Sequence, residues 1–390
     1  MLTSTIMNHY TPMKKTYLIG VLALTLCACS RQPKEENGVI KVDIENAQPL
    51  RLSDLVESIT LIPLETTDES LIQDINKLKV RDGKFYFTNQ NKNVLAFDKN
   101  GKFLMSTASR VGQGPEDYYF AFSIDVANDG LLSIFEGLLP RVREYDSNLI
   151  LQKSYFLNAP DSTRSSQEMR MHVKIDEDLY LLRDPGYTYY YSASQDSIIQ
   201  SRHECDEGNK CALIASNLRF LKNEGEIYFS PTYICDTLYR VNTEKRMMEP
   251  VVVYDLGDHK LDYTQFPDDM NFQYYVDLIM TSDKVFIQDK IHFSDADYAF
   301  ATCIANKENY VIHRNKEGIV TTYQCKEGGL YAPLDVYEDN FVYAMWPYQL
   351  KENLDKTPMV KELLTKESLE LIQHLANDDN PVILLYKLKK

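Results

Sequence analysis

The sequence predicts an all-β protein: a six-bladed β-propeller with four-stranded antiparallel blades and one helical insertion near the C-terminus. Three observations predict it. Short apolar or aromatic segments recur along the chain, broken by small groups of turn-forming residues. They fall into sets of four, at a spacing of roughly fifty residues. Six sets follow one another, and radial repetition of six small sheets protects strand edges without a barrel of many strands. A pair of stacked sheets is the competing architecture.

The N-terminus sets where the body begins. Lys14 and Lys15 form a short basic region, and the uncharged run from Tyr17 to Leu26 is too short to span a bilayer as a helix. It reads as the apolar core of a signal peptide. The run ends in Leu26-Cys27-Ala28-Cys29, which resembles the lipobox of bacterial lipoproteins. That resemblance implies residues 1–28 as a signal peptide, Cys29 as the acylated first residue, and a membrane partner reached through its acyl chains. Multiple acyl chains hold a protein on a bilayer essentially permanently. The polar stretch 29–38 reads as a tether, with 39–390 as a single propeller domain. The expected location is the cell envelope, as an outer-membrane lipoprotein facing the periplasm or the exterior.

Strands are expected in the first set at 75–80, 85–88, 94–97 and 103–106, divided by Asp82-Gly83, Gln90-Asn91 and Asn100-Gly101. The second set reads 122–126, 131–135, 142–145 and 149–156. The third reads 169–178, 179–183, 187–192 and 198–203, and the fourth 218–221, 227–230, 237–241 and 251–256. In the fourth, Glu224-Gly225 stands where Asp82-Gly83 and Asp129-Gly130 stood. The fifth is read as 276–281, 284–289, 298–305, 310–315 and 319–324, with its turn at Ser282-Asp283. The sixth begins with 333–337 and 340–345 and ends with 382–388.

One helix is expected at about 357–378. Thr357-Pro358 offers an N-cap and a first-turn proline, and Val360, Leu363, Leu364, Leu371, Ile372 and Leu375 approximate a helical stripe. It is read as an insertion in the final blade that packs over one end of the disc, with a lid over the central channel as the functional alternative.

Several strings carry a family resemblance. Leu52-Ser53-Asp54-Leu55 leading into Leu61-Ile62-Pro63-Leu64-Glu65-Thr66-Thr67, then Ser70-Leu71-Ile72, resembles the opening of the six-bladed, NHL-like β-propeller lipoproteins of Gram-negative gut anaerobes. Gly112-Gln113-Gly114-Pro115-Glu116-Asp117-Tyr118 and Asn380-Pro381-Val382 agree with it. Gln73 stands where that family usually has glycine, and the tyrosine of the second string comes one residue late. The resemblance implies a propeller whose N-terminal strand, near 59–64, joins the last blade. It implies no activity, because most of that family has none assigned.

Composition narrows the partners. The formal charge is −15, and removal of residues 1–28, which carry two lysines and no acids, makes it −17. Nucleic acid is therefore not an expected partner, since its binding rests on cations that neutralise phosphate.

Chemical motifs are sparse, and no catalytic residue, cofactor or metal is expected. Gly112, Gly114, Pro115 and Glu116 lack the lysine of a phosphate loop and read as a blade-connecting loop, or as a rim loop that contacts ligand. The histidines show no metal-binding spacing, and Asp295 and Asp297 after His292 offer only a weak oxygen set for calcium. No Gly-x-Ser-x-Gly elbow occurs. Tyr187, Tyr189 and Tyr190 belong to a dense aromatic run that either packs between blades or offers flat faces to sugars or peptides. Cys205 and Cys211 flank a Gly208-Asn209 turn and are placed for a disulfide. The expected function is recognition of a glycan, peptide or protein through channel-mouth loops. The alternatives are a propeller-type glycan lyase or hydrolase, and a scaffold subunit of a nutrient-uptake complex.

Overall fold

The computed structural model describes residues 38–90, 92–127, 129–136, 141–157, 171–183, 187–203, 219–231, 235–261, 272–325 and 330–390. They build six sheets in chain order, the blades of a propeller. Blade 1 holds β4 (Asn76–Arg81), β5 (Lys84–Asn89), β6 (Asn93–Phe97) and β7 (Phe103–Ser106). Blade 2 holds β8 (Ser123–Val126), β9 (Leu132–Phe135), β10 (Arg141–Tyr145) and β11 (Leu151–Phe156). Blade 3 holds β12 (Met171–Lys174), β13 (Leu179–Arg183), β14 (Tyr187–Ser192) and β15 (Ser197–His203). Each is an antiparallel meander, as the turn residues of the sequence predict.

Blade 4 runs β16 (Arg219–Asn223), β17 (Glu226–Ser230), β18 (Thr237–Asn242) and β19 (Met247–Asp255). Blade 5 runs β20 (Phe286–Phe293), β21 (Ala296–Cys303), β22 (Glu308–Arg314) and β23 (Val320–Cys325). Here the sequence reading is corrected. The segment 276–281 is not a strand but part of the helix Phe272–Thr281. The first turn of this blade is accordingly Ser294-Asp295 rather than Ser282-Asp283. A short apolar run with no glycine or proline inside it satisfies both periods, and tertiary packing selects the helix.

Blade 6 closes the ring. β24 (Asp335–Tyr337), β25 (Asn340–Met345) and β26 (Val382–Leu388) come from the C-terminal part, and the fourth strand is β3 (Val56–Pro63). β26 and β3 pair antiparallel from Val382 opposite Pro63 to Tyr386 opposite Ile59. The two ends of the described chain thus meet in one sheet, as expected. Two features were not foreseen: β1 (Val39–Lys41) adds to the outer edge of blade 4 in parallel with β19, and β2 (Gln48–Pro49) adds likewise to β23 of blade 5. The chain before β3 therefore runs along the rims of blades 4 and 5 before entering blade 6.

The helical insertion is longer and more broken than expected. It begins at Pro347 and comprises Pro347–Lys356, Pro358–Glu362 and Lys366–His374. Pro358 starts the second helix because it lacks the N–H that would continue the first. Thr365 caps the third, its side chain accepting from the Ser368 amide at 3.1 Å. Leu350, Leu354, Val360, Leu364 and Ile372 join Leu52, Leu55 and Ile59 in one buried cluster, and the Ile59 amide donates to the Leu363 carbonyl. The helices therefore buttress the closing strand rather than cover the channel.

Candidate functional site

The first strand of each blade carries charge inside an otherwise apolar segment, and closure of the ring brings these charges together. β4 touches β8 and β24, β12 touches β8 and β16, and β20 packs against β17. Lys79 spans the axis, its Nζ donating to the Phe220 carbonyl at 3.0 Å. Lys222 Nζ lies 2.6 Å from Asp125 Oδ2, and Arg81 Nη2 reaches Asp125 Oδ1 at 3.9 Å. Arg81 Nη1 also pairs with Asp335 Oδ2 at 3.4 Å, and that oxygen accepts from the Val80 amide. Arg219 pairs with Asp289, which accepts from Ser230 Oγ at 2.7 Å. These residues fill the axis with a polar network.

The network sets protonation states. Burial works against the Asp125 carboxylate, but Lys222 and Arg81 outweigh it and hold the group below its usual range. Burial pushes Lys79 down, and it pushes the His172 imidazole down to about 4. His172 lies between two hydroxyls, Ser123 Oγ at 3.1 Å from Nδ1 and Ser133 Oγ at 2.9 Å from Nε2. It superficially suggests a nucleophilic dyad, yet the residue is only 3% exposed and both ring nitrogens are occupied. It is a core histidine.

Above this plug a recess of about 290 Å³ opens at one mouth of the channel. Three blades contribute to it through the turn between their first and second strands. Arg81 and Lys222 form its base, Val80, Val336, Tyr337 and Asn223 line it, and Asp82, Glu224, Glu338 and Asp339 supply four carboxylates. Asp82, Glu224 and Glu338 each stand at the first turn position with φ of 51°, 50° and 51°. The same tight turn thus presents an acid from blades 1, 4 and 6. Because Arg81 and Lys222 already pair with Asp125 and Asp335, they do not neutralise the rim. Asp339 is paired with Lys390 at 2.7 Å, and Glu224 accepts from Ser294. The mouth is polar, negative and offers mainly acceptors.

The residues singled out from the sequence lie elsewhere. Gly112, Gly114, Pro115 and Glu116 connect the fourth strand of blade 1 to the first of blade 2, at the end of the blades opposite the recess. Their polar groups are largely engaged internally. Arg143 Nη1 donates to the Pro115 carbonyl and the Tyr145 hydroxyl to the Glu116 carbonyl, both at 2.9 Å. Glu116 Oε2 pairs with Arg110 at 3.1 Å. A Cβ at Gly112 or Gly114 would crowd Asp117 Oδ2, which explains the glycines by close approach. Tyr189 and Tyr190, in β14, are 3% and 0% exposed and pack into two different inter-blade clusters; the half-buried Tyr187 stacks on Tyr189.

Asp297, weighed for calcium, is buried between His292 and Arg314. Among the described residues no group of three or more His, Cys, Asp or Glu side chains is arranged to hold a metal. Cys235, Cys303 and Cys325 are free thiols. Cys29, Cys205 and Cys211 lie outside the described residues, as does Gly208-Asn209. The sequence reading missed Arg81, Asp125, Lys222 and Asp335. The available signal was charge set inside the first strand of the sets, as at Arg81, Asp125, Lys222 and Asp335, where an inner strand has little solvent to meet.

The family model described as "Domain of unknown function (DUF4934)" matches residues 37–387. Among solved structures, a "Putative exported protein" from Bacteroides fragilis NCTC 9343 aligns with a TM-score of 0.67 at 17% identity, covering 90% of this chain and 99% of its own. A member of the duf4221 family from Bacteroides vulgatus aligns with a TM-score of 0.52 at 12% identity, covering 86% and 98%. At these identities the likeness establishes the fold. No curated protein matches the chain. No helix among the described residues is long and apolar enough to cross a membrane.

Proposed function

The chain belongs to the family described as Domain of unknown function (DUF4934), and we propose that this member is an envelope lipoprotein whose propeller captures a polar ligand at the recess. The carrying observation is the recess itself: about 290 Å³, walled by turns of three blades over a charge-paired floor. A site of that size admits one or two sugar residues or a short peptide segment, and aligned carboxylates with Tyr337 suit hydroxyl or ammonium donors. The lipobox resemblance at Cys29 and the description of the Bacteroides fragilis protein as exported support the envelope location.

A glycan and peptide array probed with the lipid-free body, residues 30–390, tests the reading. Binding is expected for neutral or basic ligands and not for sulfated or uronic ones, which the acidic rim repels. An array without hits, or hits confined to polyanions, would overturn it.

A further inference from the structure

One wall of the recess continues into a second arrangement built from other residues. His292 and Asp297 are direct partners across β20 and β21, and the imidazole Nδ1 lies 2.6 Å from Asp297 Oδ1. Asp297 is 1% exposed, and its other oxygen is bound by the Arg314 guanidinium. A buried carboxylate beside Nδ1 favours the tautomer with the proton on that nitrogen, which leaves Nε2 as a lone-pair acceptor. Nε2 makes no hydrogen bond with any described residue, and the side chain is 21% exposed. The ring leans on Tyr228, with centroids 5.4 Å apart.

This pair stands beside the recess. Asn223 Nδ2 donates to the His292 carbonyl at 2.7 Å, and Ser294 donates through its amide and hydroxyl to Glu224. Asn223 and Glu224 both line the recess. The charged neighbours are Arg314 on β22 and, across the seam in blade 4, Glu224, Glu226 and Arg240 around Tyr228.

Resting on the reading that the recess holds a ligand, we propose that His292 is the acid–base residue of that site and that its reaction class is hydrolysis of an ester carried by a polar ligand. A water gives its proton to Nε2 as its oxygen bonds to the ester carbonyl carbon. The bond from that carbon to the alcohol oxygen then breaks, and the departing oxygen takes the proton back from Nε2. One water and one ester become one acid and one alcohol, with nothing oxidised or reduced. Asp297 is a positioning residue that holds the neutral ring with its proton on Nδ1, so that Nε2 carries the lone pair.

The probe is p-nitrophenyl acetate with the lipid-free body between pH 5.5 and 8, beside a nitrogen-15 spectrum of the histidine rings. The wild type is expected to hydrolyse the ester and to show the proton of the neutral His292 ring on Nδ1. His292→Gln should lower the rate at least tenfold, Asp297→Asn should lower the rate and move the ring proton off Nδ1, and His374→Gln should change neither. A His292→Gln rate equal to wild type, or a neutral His292 protonated at Nε2, would overturn the proposal. An empty array beside turnover that depends on His292 would instead count against the recess as a ligand site and leave the pair standing.

Discussion

The Asn380 side-chain oxygen accepts a hydrogen bond from the Ile72 amide at 2.8 Å, across 308 positions of sequence. The same side chain donates through Nδ2 to the carbonyls of Glu65 and Ser70 at 2.8 and 2.9 Å, and the residue is 1% exposed. One amide therefore satisfies three buried backbone groups of the segment that follows the closing strand, immediately before β26 begins. This explains why Ser70-Leu71-Ile72 and Asn380-Pro381-Val382 read together in the sequence: they are two halves of one clasp.

Replacing Asn380 by Ala strands the Ile72 amide and the Ser70 carbonyl, while the Glu65 carbonyl keeps its bond from Ser70 Oγ at 2.7 Å. At about 1 to 3 kcal/mol for each stranded group, partly relieved by water, the net loss should be about 2 to 4 kcal/mol. Urea unfolding measures it, and a midpoint unchanged from wild type would disprove the clasp.

Gly101 tests the junction of blades 1 and 6. Its φ is +82°, and a Cβ there would overlap the Pro63 carbonyl oxygen at the end of β3. Gly225 has nearly the same φ, +81°, with open space around it. Gly225→Ala should cost only the left-handed backbone penalty, about 1 kcal/mol. Gly101→Ala should cost about 2 kcal/mol more, because backbone must move as well. Equal losses in thermal unfolding would contradict the close approach.

The pH dependence follows from His172. Its folded value of about 4 lies below the ordinary histidine value, so the unfolded chain binds the proton more readily. The stability it contributes is complete above about 6.5 and is lost as pH falls toward 4. Asp125, also held low, adds a loss of the same sign at more acid pH. The difference in stability between pH 7 and pH 4.5 should shrink by about 2 kcal/mol in His172→Gln. An unchanged slope would mean that the ring is not held neutral.

The proposed lipidation rests on one residue, Cys29. Cys29→Ala should abolish incorporation of a palmitate analogue and release the protein from the membrane fraction. Continued labelling would place the anchor elsewhere.

Blades 1, 2 and 4 were legible because Asp82-Gly83, Asp129-Gly130 and Glu224-Gly225 follow their first strands, residue chemistry that fixes a hairpin locally. Asn340–Met345, Val382–Leu388 and Phe103–Ser106 appear as the sequence implies. Blade 5 was shifted, because 276–281 alone cannot distinguish a buried strand from a helix. β1 and β2 are too short, at three and two residues, to carry any period. The candidate site was only half legible. Asp82-Gly83 and Glu224-Gly225 were recognised as equivalent turns, but their assembly into one wall with Glu338 depends on ring closure. Arg81 and Lys222 gave no local sign of meeting Asp125.

The central claim is that this wall is where the ligand sits. Its most direct test is the dissociation constant of the strongest array ligand for wild type and for the pair Glu224→Gln with Glu338→Gln, measured calorimetrically on correctly folded protein. The recess predicts at least about tenfold weaker binding in the double variant, the loss of roughly 1.4 kcal/mol or more. An affinity equal to wild type would place the ligand elsewhere on the propeller.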